Sequence, residues 1–159
     1  MAELIEASVL GDTAKVKLLL DKGAPLDVQT TDGRTALHWA CKNGEKEVVQ
    51  LLLDKGASLD VQDENDCTAL NLASQNGHTQ VVQLLLDKGA SLDVQTKKEG
   101  NTALHWASMR GRKEMVQLLL DKGASLDVQN KFGSTALHRA SENGEKEVVQ
   151  LLLDKGASL

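Results

Sequence analysis

The chain has 159 residues, 41% hydrophobic and 26% charged, which places it among folded globular proteins and excludes a disordered one. Its formal net charge of −5 removes the basic footprint that nucleic acid or an anionic membrane demands, and Trp39, Trp106 and Phe132 are its only aromatic residues, too few to stack bases in number. Two cysteines, Cys41 and Cys67, exclude a disulfide framework, and aliphatic runs no longer than a Leu triplet exclude a membrane-spanning helix.

The chain opens Met1-Ala2-Glu3-Leu4-Ile5-Glu6, with acids where a secretory signal carries Lys or Arg. A cytoplasmic or nuclear location in a reducing compartment is therefore expected. A first unit, 1–29, contains a loose copy, Lys15 to Gln29, of a segment that later hardly varies. The strict form is Val-Val-Gln-Leu-Leu-Leu-Asp-Lys-Gly-Ala-Ser-Leu-Asp-Val-Gln. It fills Val48 to Gln62 and Val81 to Gln95 unchanged, recurs with one substitution from Met115 to Gln129, and runs from Val148 to Leu159 in short form. Thr35, Thr68, Thr102 and Thr135 follow one another at 33, 34 and 33 residues, which marks further units over 30–62, 63–95, 96–129 and 130–159. Repetition at such a period predicts a stack.

Each unit carries the same pattern. Thr35 is a good N-cap for a short helix starting Ala36-Leu37-His38. That helix stops at Asn43-Gly44, and its counterparts at Asn76-Gly77, Arg110-Gly111 and Asn143-Gly144, where Gly supplies a left-handed terminus. A second helix is predicted from Glu45 to Lys55, with Val48, Val49, Leu51, Leu52 and Leu53 on a wide apolar face, and Gly56 just beyond its end. The linker after it holds Val61 and a turn, where Gly33, Gly100 and Gly133 provide positive φ and Asp66 stands in for Gly. One helix pair cannot bury so wide a face alone, so neighbours must cover it. The first unit carries Glu6 and Lys15 where the second carries Trp39 and Val48, which suits an outer side without a neighbour. The last unit keeps Val148, Val149 and its three Leu unmodified, so a monomer with weak self-association through an uncapped end is expected.

Thr-Ala-Leu-His-Trp-Ala at Thr35 and again at Thr102, followed at fixed offsets by a Gly stop and by Leu-Leu-Leu-Asp-Lys-Gly-Ala, resembles the ankyrin repeat. The resemblance covers essentially the whole chain as five copies, the first divergent and cap-like. Departures are Ala for the family's usual Pro after Thr, Asn71 for His, Asp66 for Gly, and an extra residue among Thr96-Lys97-Lys98. Arg139 also stands where Trp or Leu is usual, a place it suits if its stem packs and its head reaches solvent or an acid. The resemblance implies an all-α solenoid of stacked antiparallel helix pairs with hairpin-like turns. It further implies a non-catalytic interaction module that holds a protein or peptide on a concave face built from turn tips and first helices.

The copies differ from one another in two windows. The turn before each Thr contributes Asp32 and Arg34, then Cys67, then Lys98, Glu99 and Asn101, then Lys131, Phe132 and Ser134. The end of the first helix contributes Lys42, Gln75, Met109 with Arg110, and Glu142. These are the candidate partner-binding residues, on the argument that a constant scaffold carries a variable recognition face. Exposed tips drifting without a partner would vary in the same places. Phe132, with Met109, Arg110 and Arg34, has the chemistry of a binding anchor, unless it packs against the neighbouring tip. Trp39 and Trp106 sit among core positions of the first helices and read as packing. The near-identity of the copies equally fits an engineered or consensus-like scaffold, or a fresh duplication, with no evolved partner.

Chemistry beyond binding finds little support. His38, His105 and His138 recur once per unit, and packed helices lie about 8–10 Å apart, so these rings cannot share a metal with bonds of about 2 Å. Each is expected instead to tie its Thr-x-x-His turn to the neighbouring loop. His38 and Cys41 offer two ligands on one helix face without a third, so Cys41 reads as core and Cys67 as the more accessible thiol. No nucleophile–base pair, Gly-rich phosphate loop or paired-carboxylate pocket is visible, and Asp54, Asp87, Asp121 and Asp154 fall on a solvated face. Neither enzymatic activity nor a cofactor or metal is expected.

Overall fold

The computed structural model describes residues 2–159, and among these it contains ten helices and no strand. They come as five pairs: α1 (Glu3–Val9) with α2 (Thr13–Asp21), α3 (Ala36–Asn43) with α4 (Lys46–Asp54), α5 (Ala69–Asn76) with α6 (Thr79–Asp87), α7 (Ala103–Met109) with α8 (Lys113–Asp121), and α9 (Ala136–Glu142) with α10 (Lys146–Asp154). The odd-numbered helices pack side by side in one row and the even-numbered helices in a second, so the chain is an all-α two-layer stack. Helices of seven to nine residues are marginal alone in water, so their ends and their packing have to hold them.

The ends are held as the sequence pattern predicts. The Thr35, Thr68, Thr102 and Thr135 side chains each accept from the backbone amide of the third helical residue, and that residue's own side chain accepts from the Thr amide. Gly44 and Gly77 close α3 and α5 at φ +76° and +79°, in the left-handed region that only Gly enters freely. Packing follows the apolar faces. Leu37, Leu70, Leu104 and Leu137 from the first helices meet Leu52, Leu85, Leu119 and Leu152 from the second, and none is more than 2% exposed. Each such side chain contributes about 1.5–3 kcal/mol by leaving water.

Adjacent turn tips are joined by backbone hydrogen bonds. The Glu64 amide donates to the Asp32 carbonyl at 3.0 Å, Lys97 to Asn65 at 2.8 Å, and Lys131 to Glu99 at 2.9 Å. Each tip is also closed on itself, as where the Thr30 amide donates to the Arg34 carbonyl at 2.9 Å. The residue-long insertion in the fourth unit widens a bond that every tip makes: the Gly100 amide donates to the Thr96 carbonyl at 2.8 Å, four residues back, where Gly33 donates to Thr30 at 2.9 Å, three residues back. Close approach of the tips gives Gly33 two reasons to be Gly. Its φ is +79°, and a Cβ there would lie 3.0 Å from the Glu64 amide nitrogen and 3.1 Å from the Asp63 Cα. Gly133 has a similar φ of +75° but open space around it. Gly33→Ala should therefore cost about 2 kcal/mol and Gly133→Ala about half that, read from urea unfolding midpoints. Equal costs would show that the tips do not constrain one another.

A second consequence of packing concerns the register occupied by Cys41, Ser74 and Ser108, all 0% exposed. The Ser74 and Ser108 hydroxyls have no hydrogen-bond partner, whereas the buried Ser8 hydroxyl donates to the Leu4 carbonyl at 2.7 Å. An unpaired buried hydroxyl is destabilising. Ser74→Ala and Ser108→Ala are each expected to raise stability by about 1 kcal/mol, and Ser8→Ala to lower it by a similar amount. A loss of stability at all three positions would contradict this account.

The second helices carry a ladder of ion pairs from unit to unit: Lys55–Asp21 at 3.3 Å, Lys88–Asp54 at 3.4 Å, Lys122–Asp87 at 3.0 Å and Lys155–Asp121 at 3.7 Å. All are about half exposed, so solvent screens each of them, though together they repeat one register. At the outer faces, Glu6 and Lys15 are exposed as expected, but so are Leu10 and Leu18. At the other end Leu153 is 46% exposed, where its counterparts Leu53 and Leu86 are 7% and 8%.

Candidate functional site

The turn tips and the first helices share one face, which carries a recess of about 350 Å³ between the tips of the second, third and fourth units. Five of the sequence-selected residues line it: Arg34, Cys67, Gln75, Lys98 and Glu99. Four others complete it, namely Asn65, Thr96, Leu72 and Trp106. The tip hydrogen bonds bring Arg34, Cys67 and Glu99 to one place although they lie far apart in sequence. Leu72 of α5, which is buried, and Trp106 of α7, which is half-buried, each follow one turn after the capping Thr.

Arg34 organises one wall. Its Nε donates to Asp63 at 3.0 Å, and its terminal nitrogen lies 3.6 Å from Asp32. Asp63 is buried, and its other oxygen accepts from the Asn65 and Cys67 amides, both at 2.9 Å. The Thr30 hydroxyl bonded to Asp32, with Arg34 beside it, holds the Asp32 carboxyl below its usual range. The Arg34 guanidinium also lies over the Trp39 ring, 5.1 Å from its centroid, and the Lys42 ammonium lies 5.0 Å from the same ring. Asp32 and Lys42 thus adjoin the recess through Arg34 and Trp39. Burial, with Asp63 nearby, pushes the Cys67 thiol up to about 11, so it stays protonated and unreactive at neutral pH despite its position on a tip.

The remaining candidates lie further along the stack. Met109 and Arg110 line a shallower depression with Arg112 and Asn143. Arg139 bridges towards it, donating to Glu142 at 3.0 Å and approaching the Met109 sulfur at 3.0 Å, so its stem packs and its head finds an acid as the sequence pattern predicts. Lys131 is exposed, and its ammonium is hydrogen-bonded to the Lys97 carbonyl. Phe132 is 70% exposed and does not tuck against its neighbour. Ser134 is half-buried, with its carbonyl accepting from His105 at 2.9 Å. Asn101 requires a correction. It is 0% exposed, with its amide donating to Glu99 at 2.6 Å and its oxygen accepting from Asn130 at 2.9 Å, so it serves the stack and cannot meet a partner. Its contact with Asn130 takes the place that the Arg34–Asp63 pair holds between the second and third units.

Trp39 is half-buried and packs against the core as expected, whereas Trp106 corrects the sequence reading, because it is half-buried and lines the recess on the tip-bearing face. A signal for it exists. The register reads Glu6, Trp39, Leu72, Trp106 and Arg139 from copy to copy, a column as variable as either window. The histidines behave as expected of structural ties. His38 meets the Cys67 carbonyl at 3.1 Å and His105 the Ser134 carbonyl at 2.9 Å, each across a unit boundary.

Among the described residues no helix is long and apolar enough to cross a membrane. No curated protein matches the chain significantly. A family model described as ankyrin repeats in three copies matches residues 4–96 and again 88–159, which together take in nearly the whole length. Repeats of this kind are generally protein–protein interaction modules and are typically not enzymes. With that match laid over the stacked helix pairs, their Thr caps and their joined tips, the chain belongs to the ankyrin-repeat family.

Proposed function

We propose that this chain is a non-catalytic interaction module of the cytoplasm or nucleus, which holds a protein or peptide segment on the concave face formed by its turn tips and first helices. The observation that supports this most is the recess between the tips. Inter-unit contacts on the other side of the molecule use residues that repeat from unit to unit, such as Lys88 with Asp54 and Ser91 with Asp60. The residues around the recess are those that change. A recess lined by a half-buried Trp and a buried Leu together with charged and polar groups has the mixed lining of a binding site.

The test compares two pairs of substitutions in the full chain used as bait. Arg110→Ala with Phe132→Ala should reduce retained protein at least about tenfold, in line with the weight that such anchors carry. Lys88→Ala with Asp54→Ala, on the opposite face, should leave retention unchanged. Equal retention by both pairs, or none by the wild type, would sink the reading, and the latter is what a repeat scaffold without a partner would give.

A further inference from the structure

The two positions that flank the Gly stop of each first helix are both arginine in one unit. Before the Gly the chain carries Leu10, Asn43, Asn76, Arg110 and Asn143, and after it Asp12, Glu45, His78, Arg112 and Glu145. Residues 109–113 thus hold three cations and no acid, in a chain whose net charge is −5. In other units these positions serve the stack. Asp12 caps α2 by accepting from the Lys15 amide at 3.0 Å, the Asn43 amide donates to the Val9 carbonyl at 3.0 Å, and His78 meets the Lys42 carbonyl at 3.0 Å.

Arg110 and Arg112 have no such employment. The Arg112 guanidinium lies over Gly77, which has no side chain to exclude it, and its buried Nε has no hydrogen-bond partner. Among the described residues neither guanidinium is part of an ion pair, because the acids of the following unit meet other groups. Glu147 lies 3.8 Å from Lys113, Glu142 accepts from Arg139 at 3.0 Å, and Glu145 lies over Gly111. Both arginines line the depression of about 460 Å³ with Met109 and Asn143, so no carboxylate of the described residues lines it. Glu114 and Glu147 line an adjoining depression, the one where Lys113 meets Glu147.

We propose that this depression receives an acidic segment of a partner protein, with neighbouring carboxylates of the segment paired to Arg110 and Arg112. This rests on the protein-binding reading above and names the chemistry of the partner. A guanidinium presents its N–H groups as a planar fork that matches a carboxylate, and an incoming acid satisfies donors that the chain itself leaves unpaired. Arg112 is half-buried and seated on Gly77, so it is held in place, whereas Arg110 is exposed and can close over the segment. Half-buried Met109 offers apolar surface to the methylene groups of a glutamate. On an otherwise acidic chain, such a cationic island also sets where an acidic segment lands.

The test is an NMR titration of the isotope-labelled full chain with acetyl-Gly-Glu-Glu-Gly-amide, against the same peptide carrying two glutamines. The acidic peptide should give a saturable shift of the Arg110 and Arg112 Nε–H signals and the Gly111 amide, with the Arg34 Nε–H unmoved and the glutamine peptide silent. Its affinity should fall about threefold as salt rises from about 50 to about 200 mM. Arg110→Asn and Arg112→His install the residues that the third unit carries at Asn76 and His78, so the stack should stay folded, and each should weaken binding about fivefold. Absence of a saturable response, an equal response to the glutamine peptide, or a response that survives both substitutions together would overturn the assignment. If the full chain retains a protein while the acidic peptide gives no response, the assignment fails and the broader protein-binding reading stands. Retention of no protein would sink both.

Discussion

Asp63→Ala is expected to destabilise the protein by about 3–5 kcal/mol, the range for removing one partner of a buried ion pair. The Asp63 side chain has no exposed surface, and the Arg34 side chain is only 17% exposed. Its carboxylate accepts three hydrogen bonds, from Arg34 Nε at 3.0 Å and from the Asn65 and Cys67 amides at 2.9 Å. Alanine would strand two amides inside the third tip and leave Arg34 with only Asp32 at 3.6 Å. The fifth unit supplies the informative intermediate. There Asn130 performs the turn-closing part of the role, accepting from the Phe132 and Ser134 amides at 3.0 Å, without any charge. Asp63→Asn should therefore keep the tip closed while leaving Arg34 under-compensated, at a cost of about 1–2 kcal/mol. Adding Arg34→Leu to Asp63→Asn should recover part of that loss, a coupling that a double-mutant cycle in urea would read. If Asp63→Ala costs no more than Asp60→Ala, at an exposed carboxylate, the buried pair does not hold the second and third units together.

The limits of sequence reading in this protein follow from what a periodic pattern encodes. Helix positions and stops are legible because Thr caps, Gly termini and the Val-Val-Gln-Leu-Leu-Leu face each recur at a fixed offset. The stacking is legible because one pair leaves Val48, Val49, Leu52 and Leu53 uncovered, and in the structure all four are buried. Direction within a turn is not legible. Asn101 and Lys98 belong to the same variable window, but only the structure shows that Asn101 points inward to Asn130 while Lys98 remains exposed. Trp106 fails for the opposite reason. An aromatic residue between Leu and Ala on a short helix looks like core, but a helix packed on three sides still has a fourth, and that side faces the recess. Variation within the Trp106 register is the trace that this exposure leaves in the sequence.

The separation of roles in the molecule has a physical basis. Every unit must present the same surface to its neighbour, so contacts between units favour residues that can repeat. The Ser58, Ser91 and Ser125 amides donating to Asp27, Asp60 and Asp93 are one such set, and the Lys–Asp ladder is another. Groups that face away from both neighbours carry no such constraint. Cys67, Trp106 and Phe132 can therefore differ freely, and a recess with its own chemistry can form in one place on an otherwise regular stack.

His105→Ala is the other substitution expected to have a large effect, about 3 kcal/mol, because the ring joins two units and is 1% exposed. Its Nδ1 accepts from the Thr102 amide at 3.2 Å, which places the proton on Nε2, where it donates to the Ser134 carbonyl at 2.9 Å. Alanine would leave that amide and that carbonyl buried without partners. His138→Ala is the internal control: its ring is half-buried and its Nδ1 bond to the Thr135 amide at 3.1 Å stays within one unit, so the cost should be less than half as large. His105→Asn should be tolerated within about 1 kcal/mol. Asn71 already does this in the third unit, accepting from the Thr68 amide at 3.0 Å and donating to the Val94 carbonyl at 3.2 Å. Acid should expose the same requirement. Burial holds the His38 and His105 imidazoles below their ordinary value of 6.5, because a proton on Nδ1 would confront the capping amide and add a charge inside the stack. Just below pH 6.5 the unfolded chain then binds more protons than the folded one. Stability is complete above that pH and falls as the pH drops towards the lowered folded-state values. In His38→Asn with His105→Asn this loss should disappear, so the stability difference between wild type and variant should change as the pH is taken from 7 to about 5. A difference that stays constant over that interval would mean that the two rings are not kept neutral by the fold.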